Sequence, residues 1–181
     1  PPGINIVGAG SVASTPGTDW PFRFNPTRIR LRHPNQTIFR IGGCTNQVSV
    51  KDLELLGNSA LLGEARRDAT GDYGIEAMGK WAKDAKTGGE SSNTSQMFSF
   101  ENVTFQNLDK GIFVHNANDG TCNPQEQICT SWQFDYVKVD RSLFNNNKTG
   151  IFVDTYNTDW KITNSVFNYI AANAPGDGIH V

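Results

Sequence analysis

Two short phrases alternate along this chain, and their repetition constrains the fold more than any other feature of the sequence. In the first phrase, apolar residues alternate on either side of a polar corner, and its copies read VSVKDLEL, FSFENVTF, VKVDRSLF and WKITNSVF at residues 48–55, 98–105, 137–144 and 160–167. The second phrase opens with Gly-Ile, at residues 74–77, 111–114, 150–153 and 178–181. Because alternation with a period of two residues is typical of β-strands, both phrases predict strands.

The spacing of the first phrase favours a stacked coil. Its copies begin at residues 48, 98, 137 and 160, so the intervals between them are 50, 39 and 23 residues, and such intervals are typical of solenoid repeats. The extra length lies in polar insertions, which the corners of a coil tolerate because loop-closure entropy grows slowly with length. We therefore expect an all-β parallel β-helix. A β-sandwich is the alternative, but its hairpins favour two-residue turns, whereas longer polar corners join these strands.

Asparagines follow the ends of several phrase copies. They are interpreted as structural, because asparagine tolerates left-handed backbone and stacked asparagines can bond to one another. The residues concerned are Asn58, Asn107 and Asn146.

The sequence predicts a single β-helix domain over residues 1–181. Residues 1–37 hold a first coil and an irregular excursion, and residues 38–181 hold the stacked coils with insertions at 60–95 and 116–131. A chain of this length is sufficient to bury one core. Because it begins at Pro1 and ends inside a predicted strand at Val181, we interpret it as a truncated piece of a longer solenoid, whose cut end would expose the core.

The charge and the cysteine content limit which classes of partner and which cellular compartment can be expected. The 16 Lys and Arg residues nearly balance 18 Asp and Glu residues, and without a basic stripe no nucleic-acid partner is expected. No run approaches the roughly 18 apolar residues of a membrane span. Cys122 and Cys129 lie close enough in sequence to close a small loop by a disulfide, which favours an oxidising compartment. Free thiols in a reducing cell are the alternative.

The strand-corner-strand repeats over residues 38–181, together with GINIVGAGS at 3–11, resemble the pectin-lyase-like superfamily. That group includes pectate lyases, polygalacturonases of glycoside hydrolase family 28, alginate epimerases and phage tailspikes. The resemblance implies a right-handed parallel β-helix. It also implies a secreted protein, extracellular, periplasmic or on the cell surface, that acts on a polysaccharide.

One local stretch is similar to polygalacturonases in particular. Residues 174–181 read APGDGIHV, which resembles the polygalacturonase stretch Asn-Thr-Asp-Gly-Ile-His-Val. The aspartate is a catalytic carboxylate in that family, so the resemblance implies a catalytic role for Asp177. Pro175 and Gly176 depart from the family pattern, and its later Asp-Asp, Gly-His-Gly and Arg-Ile-Lys motifs do not occur in the chain.

The Gly-Ile phrase predicts which side chains share an outward face. If the isoleucine of each copy points into the core, the residue after it points outward, because side chains alternate along a strand. Equivalent positions in adjacent strands lie about 4.8 Å apart. One face then gathers acids, cations and rings, namely Glu76, Lys110, Phe113, His115, Phe152, Asp154, Asp177 and His180.

Such a face suits a glycan, because the apolar C–H face of a sugar ring packs against an aromatic ring. Phe113 and Phe152 are expected to stack against sugar. The side chains expected to bind or orient the substrate are Glu76, Lys110, His115 and His180. The alternative is packing, in which both phenylalanines lie under a loop and His115 pairs with Asp154 across the strands.

Hydrolysis of a glycosidic bond needs two carboxylates that flank it. Asp154 and Asp177 are the candidate pair, on neighbouring Gly-Ile strands. A lyase would need a base near the sugar's acidic carbon, for which Lys110 is the candidate. Of these two activities we expect a glycoside hydrolase rather than a polysaccharide lyase. A non-catalytic adhesin or tailspike-like segment that binds glycan is the alternative, and a scaffold without a ligand is the third.

No cofactor or metal site is predicted. GAGSVA at 8–13 spells a dinucleotide-binding fingerprint, but the residues that follow cannot open the helix on which the phosphate would sit. HNANDG at 115–120 spaces its oxygens as a calcium loop does, yet the closing glutamate is missing. We interpret it as a turn and keep calcium as the alternative.

Overall fold

A computed structural model describes residues 3–11, 26–42, 46–58, 71–79, 82–83, 90–91, 94–116, 133–154, 159–168 and 178–180. Within these ranges the secondary structure consists of β-strands and contains no helix. Consequently, this part of the chain contains no helix that is long and apolar enough to cross a membrane. Cys122, Cys129 and Asp177 lie outside the described residues, so the disulfide and the role of Asp177 stay predictions.

The strands, numbered in chain order, begin and end as follows: β1 Ile4–Val7, β2 Thr27–Arg30, β3 Thr37–Gly42, β4 Val48–Leu56, β5 Tyr73–Gly79, β6 Ala82–Lys83, β7 Glu90–Ser91, β8 Thr94–Gln106, β9 Lys110–Asn116, β10 Gln133–Asp140, β11 Leu143–Asn145, β12 Thr149–Asp154, β13 Lys161–Thr163, β14 Val166–Asn168 and β15 Ile179–His180. Three of them differ from the expectations. The excursion within residues 1–37 contains β2, and the insertion at 60–95 contains β6 and β7. The strand β5 lies in the same range and is the one that the Gly-Ile phrase at 74–77 predicts.

Copies of the first phrase, together with β1 and β2, form an eight-stranded sheet among the described residues. One run of neighbouring strands has the order β1-β4-β8-β10-β13. Beside it, β2 pairs with β4, and β11 pairs with both β8 and β14. All of these strands pair in parallel. The paired residues occupy equivalent places in the repeat: Val48 with Phe98, Phe98 with Val137, Leu55 with Phe105, Phe105 with Phe144, and Phe144 with Phe167.

At one place in every copy of the first phrase the backbone is left-handed. Asp52, Asn102, Arg141 and Asn164 occupy this place, with φ of 58°, 53°, 48° and 50°. A left-handed residue turns the chain, so β4 and β8 bend there and their two halves pair with different neighbours. Aspartate and asparagine enter this conformation more readily than most residues, which explains why the corner of the phrase is polar.

The stacked asparagines predicted at the ends of the phrase copies are confirmed at two positions. Asn107 and Asn146 have φ of 58° and 56°. The Nδ2 atom of Asn146 donates a hydrogen bond to Oδ1 of Asn107 at 2.6 Å. In the first copy the position belongs to Gly57 rather than to Asn58, because a Cβ at Gly57 would lie 1.8 Å from the carbonyl oxygen of Asn107.

The four copies of the second phrase, together with β3, form a five-stranded parallel sheet in the order β15-β12-β9-β5-β3. Ile75, Ile112, Ile151 and Ile179 are paired in register from strand to strand, as the phrase predicts. The first three are fully buried, whereas Ile179 on β15 is 45% exposed. The inward direction of the isoleucines is therefore confirmed on β5, β9 and β12, and the residues after them face away from the core.

The core lies between the two sheets and contains a column of rings, here called the phenylalanine stack, formed by Phe105, Phe144 and Phe167. Adjacent ring centroids are 4.6 Å apart at both steps, with interplanar angles of 4° and 3°. Phe105 and Phe144 are fully buried. Burial of side chains of this size contributes about 1.5–3 kcal/mol each, so the stack stabilises the packing of β8, β11 and β14 against the strands of the second phrase.

The glycines of the second phrase let the five-stranded sheet approach the phenylalanine stack. A Cβ at Gly111 would lie 2.6 Å from the carbonyl oxygen of Gly150 and 2.8 Å from Cδ1 of Phe144. The same pair of contacts recurs at Gly74 and at Gly150. Since non-bonded carbon atoms normally stay about 3.5–4.0 Å apart, any side chain at these places would push the sheets apart.

We expect Gly111→Ala to lower the free energy of unfolding by about 1–3 kcal/mol, the usual cost of overpacking a core. The measurement is the shift of the urea midpoint at constant m value. Gly42→Ala is the matched control, because a Cβ at Gly42 on β3 meets no atom within 4 Å. Equal destabilisation by both substitutions would contradict the packing argument.

Candidate functional site

The outward side chains of the five-stranded sheet form a row of rings. Phe113, Phe152 and His180 are paired in register on β9, β12 and β15, as the sequence predicts. The rings of Phe152 and His180 are parallel, with centroids 4.5 Å apart, and Phe113 meets Phe152 edge to face at 5.6 Å. Both phenylalanines are half-buried and His180 is exposed, so the row is partly accessible to solvent.

Two further rings widen this row on β5 and β9. His115 stacks on Phe113 with centroids 4.1 Å apart and an angle of 13°. Tyr73 packs against Phe113 at 4.8 Å. The sequence reasoning missed Tyr73, although it directly precedes Gly74 as Lys110 precedes Gly111. The name aromatic row is used below for Tyr73, Phe113, His115, Phe152 and His180.

Lys110 holds its ammonium group over the aromatic row. Its Nζ atom lies 4.7 Å from the ring centroid of Phe113, 5.1 Å from that of Tyr73 and 5.4 Å from that of Phe152. These distances suit cation–π attraction. The same Nζ donates a hydrogen bond to Oδ2 of Asp109 at 3.2 Å, and the lysine side chain is 18% exposed.

Glu76 lies beneath this surface rather than on it, with 5% of the residue exposed. Thr37 Oγ1 and Arg40 Nε donate to Oε2 at 2.6 Å and 2.9 Å, and His115 Nε2 lies 3.1 Å from Oε1. Burial alone raises the pKa of Glu76, but the hydrogen bonds from Thr37, His115 and Arg40, together with the Arg40 charge, outweigh it and hold the pKa below its usual value. This arrangement favours an anchoring role, in which the carboxylate fixes the ring of His115.

Asp109 is a second buried acid, which the sequence reasoning missed. It is 4% exposed, and its Oδ2 accepts hydrogen bonds from Gly71 N at 2.9 Å and from Lys110. Its Oδ1 accepts no hydrogen bond but lies 3.9 Å from Nζ of Lys148. In the copies at β5 and β9 an aspartate stands two residues before the glycine, at Asp72 and Asp109, and this spacing was the signal available in the sequence.

The two buried acids Glu76 and Asp109 also affect the pKa of Tyr73. Burial, then the negative charges of Asp109 and Glu76, raise the pKa of the Tyr73 phenol above its usual value. The phenol therefore stays protonated and keeps its capacity to donate a hydrogen bond.

The predicted catalytic pair is described only in part. Asp154 ends β12, is exposed, and is paired in register with His115 on β9. Asp177 lies outside the described residues, directly before Gly178. The separation of the two carboxyl groups, and with it the hydrolytic role, stays a prediction.

Metal ligands do not gather in the described ranges. No group of three or more His, Cys, Asp or Glu side chains in this part of the chain is close enough to hold a metal ion. Of the stretch interpreted at 115–120 as a turn, residues 117–120 lie outside the described ranges, so the calcium alternative is untested.

We expect the protein to lose stability as the pH falls below about 4.5, and Glu76→Gln to weaken this dependence. The folded-state pKa of Glu76 is lowered from 4.5, so its ionised form stabilises the fold above the unfolded-state pKa. That contribution disappears as the pH falls through the folded-state pKa. Thermal midpoints measured from about pH 7 to about pH 3 test this linkage. Arg40→Gln, which removes a donor to the same carboxylate, should also flatten the profile. A Glu76→Gln profile as steep as that of the wild type would refute the assignment.

The site thus combines half-buried aromatic faces, a lysine ammonium and polar groups at the rim, with carboxylates beneath them. Such a surface can stack against a flat apolar ring and exchange hydrogen bonds with hydroxyl groups. Compared with models of protein families, with curated proteins and with solved structures, the chain gives no match.

Proposed function

We propose that this chain is a right-handed parallel β-helix of the pectin-lyase-like type, and that it binds a polysaccharide on the outward face of its five-stranded sheet. The observation that carries the functional part is the aromatic row, with Phe113, Phe152 and His180 in register and partly exposed. Parallel pairing of the two alternating phrases in two sheets supports the β-helix. A secreted or cell-surface location belongs to the same proposal.

The direction of the row suits a linear ligand. The rings follow one another from strand to strand, at the spacing of about 4.8 Å that separates neighbouring strands. A polysaccharide chain would therefore lie across the strands and contact the exposed parts of successive rings. Large aromatic side chains left half open on a surface are typical of such contacts, because they offer apolar area with little loss of side-chain freedom.

Cleavage of the bound polysaccharide is the first candidate activity, with Asp177 as general acid or base and Asp154 as its partner. Hydrolysis is favoured over elimination because Lys110, the candidate base for a lyase, is ion-paired with Asp109. Binding without cleavage, as in an adhesin or a tailspike, is the second candidate. It is favoured by the burial of Glu76 and Asp109, which removes two carboxylates from the open surface.

We expect Phe113→Ala and Phe152→Ala each to weaken glycan binding by about two- to tenfold, the equivalent of about 0.5–1.5 kcal/mol of stacking. The ligand would first be identified on a glycan array, and affinities would then be measured by titration calorimetry. Tyr136→Ala is the matched control, because Tyr136 is an aromatic residue on β10 of the other sheet and is 53% exposed. Unchanged affinity in both phenylalanine variants, or an equal loss in the control, would remove the aromatic row from the site.

We expect Asp177→Asn to abolish depolymerisation while binding survives, if the protein is an enzyme. New reducing ends would indicate hydrolysis, and unsaturated products that absorb in the ultraviolet would indicate elimination. Asp154→Asn should give the same loss, because both carboxyl groups act on one bond. Full activity in Asp177→Asn would show that the assigned residue is wrong, and binding without any cleavage would leave the adhesin.

A further inference from the structure

From the charges around the aromatic row we infer that this surface selects neutral glycans over polymers of uronic acids. The inference rests on the proposed function and narrows it to a class of substrate. It follows from two ion-pair arrangements beside Phe113, in which buried carboxylates already neutralise the cations near the surface.

The first arrangement neutralises Lys110. Its ammonium is 3.2 Å from Oδ2 of Asp109, and that carboxylate is only 4% exposed. Lys148 lies 3.9 Å from the other oxygen of the same carboxylate. A uronate that bound Lys110 would have to replace Asp109 in a charge-assisted hydrogen bond of the same kind, and it would leave a buried carboxylate without its closest cation. Replacing Asp109 by a uronate as the partner of Lys110 therefore gives no favourable change in free energy.

The second arrangement neutralises Arg40 and orients His115. Both side chains contact the carboxylate of Glu76, which is buried and ionised. The guanidinium of Arg40 is on the solvent side of this pair, with 62% of its side chain exposed. The positive charge near this end of the row is therefore offset by a fixed negative charge directly below it.

The rim also acts against an anion. Asp154, exposed at the end of β12, adds a negative charge beside His115. A neutral sugar avoids this repulsion, so the surface discriminates by charge without a dedicated receptor group.

The test compares probes of equal length and linkage that carry or lack a carboxylate: galacturonate oligomers with their methyl esters, and mannuronate oligomers with mannose oligomers. Affinities would be measured at low and high salt. We expect the neutral member of each pair to bind about tenfold or more tightly, the cost of one desolvated charge that finds no partner, with little dependence on salt. Tighter binding of the acids, weakened by salt, would overturn this inference but leave the proposed function intact. Binding of none of the four would overturn both.

Asp109→Asn supplies a gain-of-binding test. Removing the carboxylate leaves Lys110 without its closest counter-charge, so affinity for the galacturonate oligomer should rise about tenfold and become sensitive to salt. The double variant Asp109→Asn/Lys110→Met should lose this gain. Circular dichroism and thermal melts would confirm that each variant folds.

Lys110→Met keeps the inference testable if Asp109→Asn does not fold. It should change the affinities for acid and ester by the same factor. Selective loss of acid binding would identify Lys110 as a carboxylate receptor and overturn the inference.

Discussion

The close contact between the glycines of the second phrase and the phenylalanine stack is the constraint on which the rest of the structure depends. A glycine carbonyl and an aromatic ring together occupy the space that a Cβ would need at Gly74, Gly111 and Gly150. This contact sets the distance between the two sheets and buries the isoleucines beside it. The side chain that follows each isoleucine then points outward, so the aromatic row lies on strands whose inner side is fixed by packing.

Much of the strand pattern could be predicted from the sequence, because the two phrases record the period of the strands and, by repeating, the register between them. The pairing of Val48 with Phe98 and of Ile75 with Ile112 followed directly from aligning the copies. The strand β2 was not predicted, since its four residues lie in a proline-containing stretch that resembles neither phrase. Alternation identifies strands only where several residues repeat it.

The outward direction of the side chains in the candidate site could be predicted from the sequence, but their burial could not. Periodicity states that Glu76 and Phe113 point away from the core, yet it does not state what lies beside them. Glu76 is buried because Thr37, Arg40 and His115 surround it, and these partners come from β3 and β9. Asp109 is buried at a corner, where no alternation exists to be read. Facing outward and being accessible to a ligand are therefore separate properties in this fold.

The in-register parallel pairing has a kinetic consequence. Each strand finds its partner one repeat away, so Val48 pairs with Phe98 and Val137 with the same Phe98, across 50 and 39 residues of chain. No pairing of the two large sheets in the described ranges joins strands through a tight hairpin. Because these contacts join residues that are far apart in sequence, a large loop must close before the contact stabilises the chain. Folding rates fall as this sequence separation grows. The fold should therefore assemble slowly, at a rate limited by the closure of these loops.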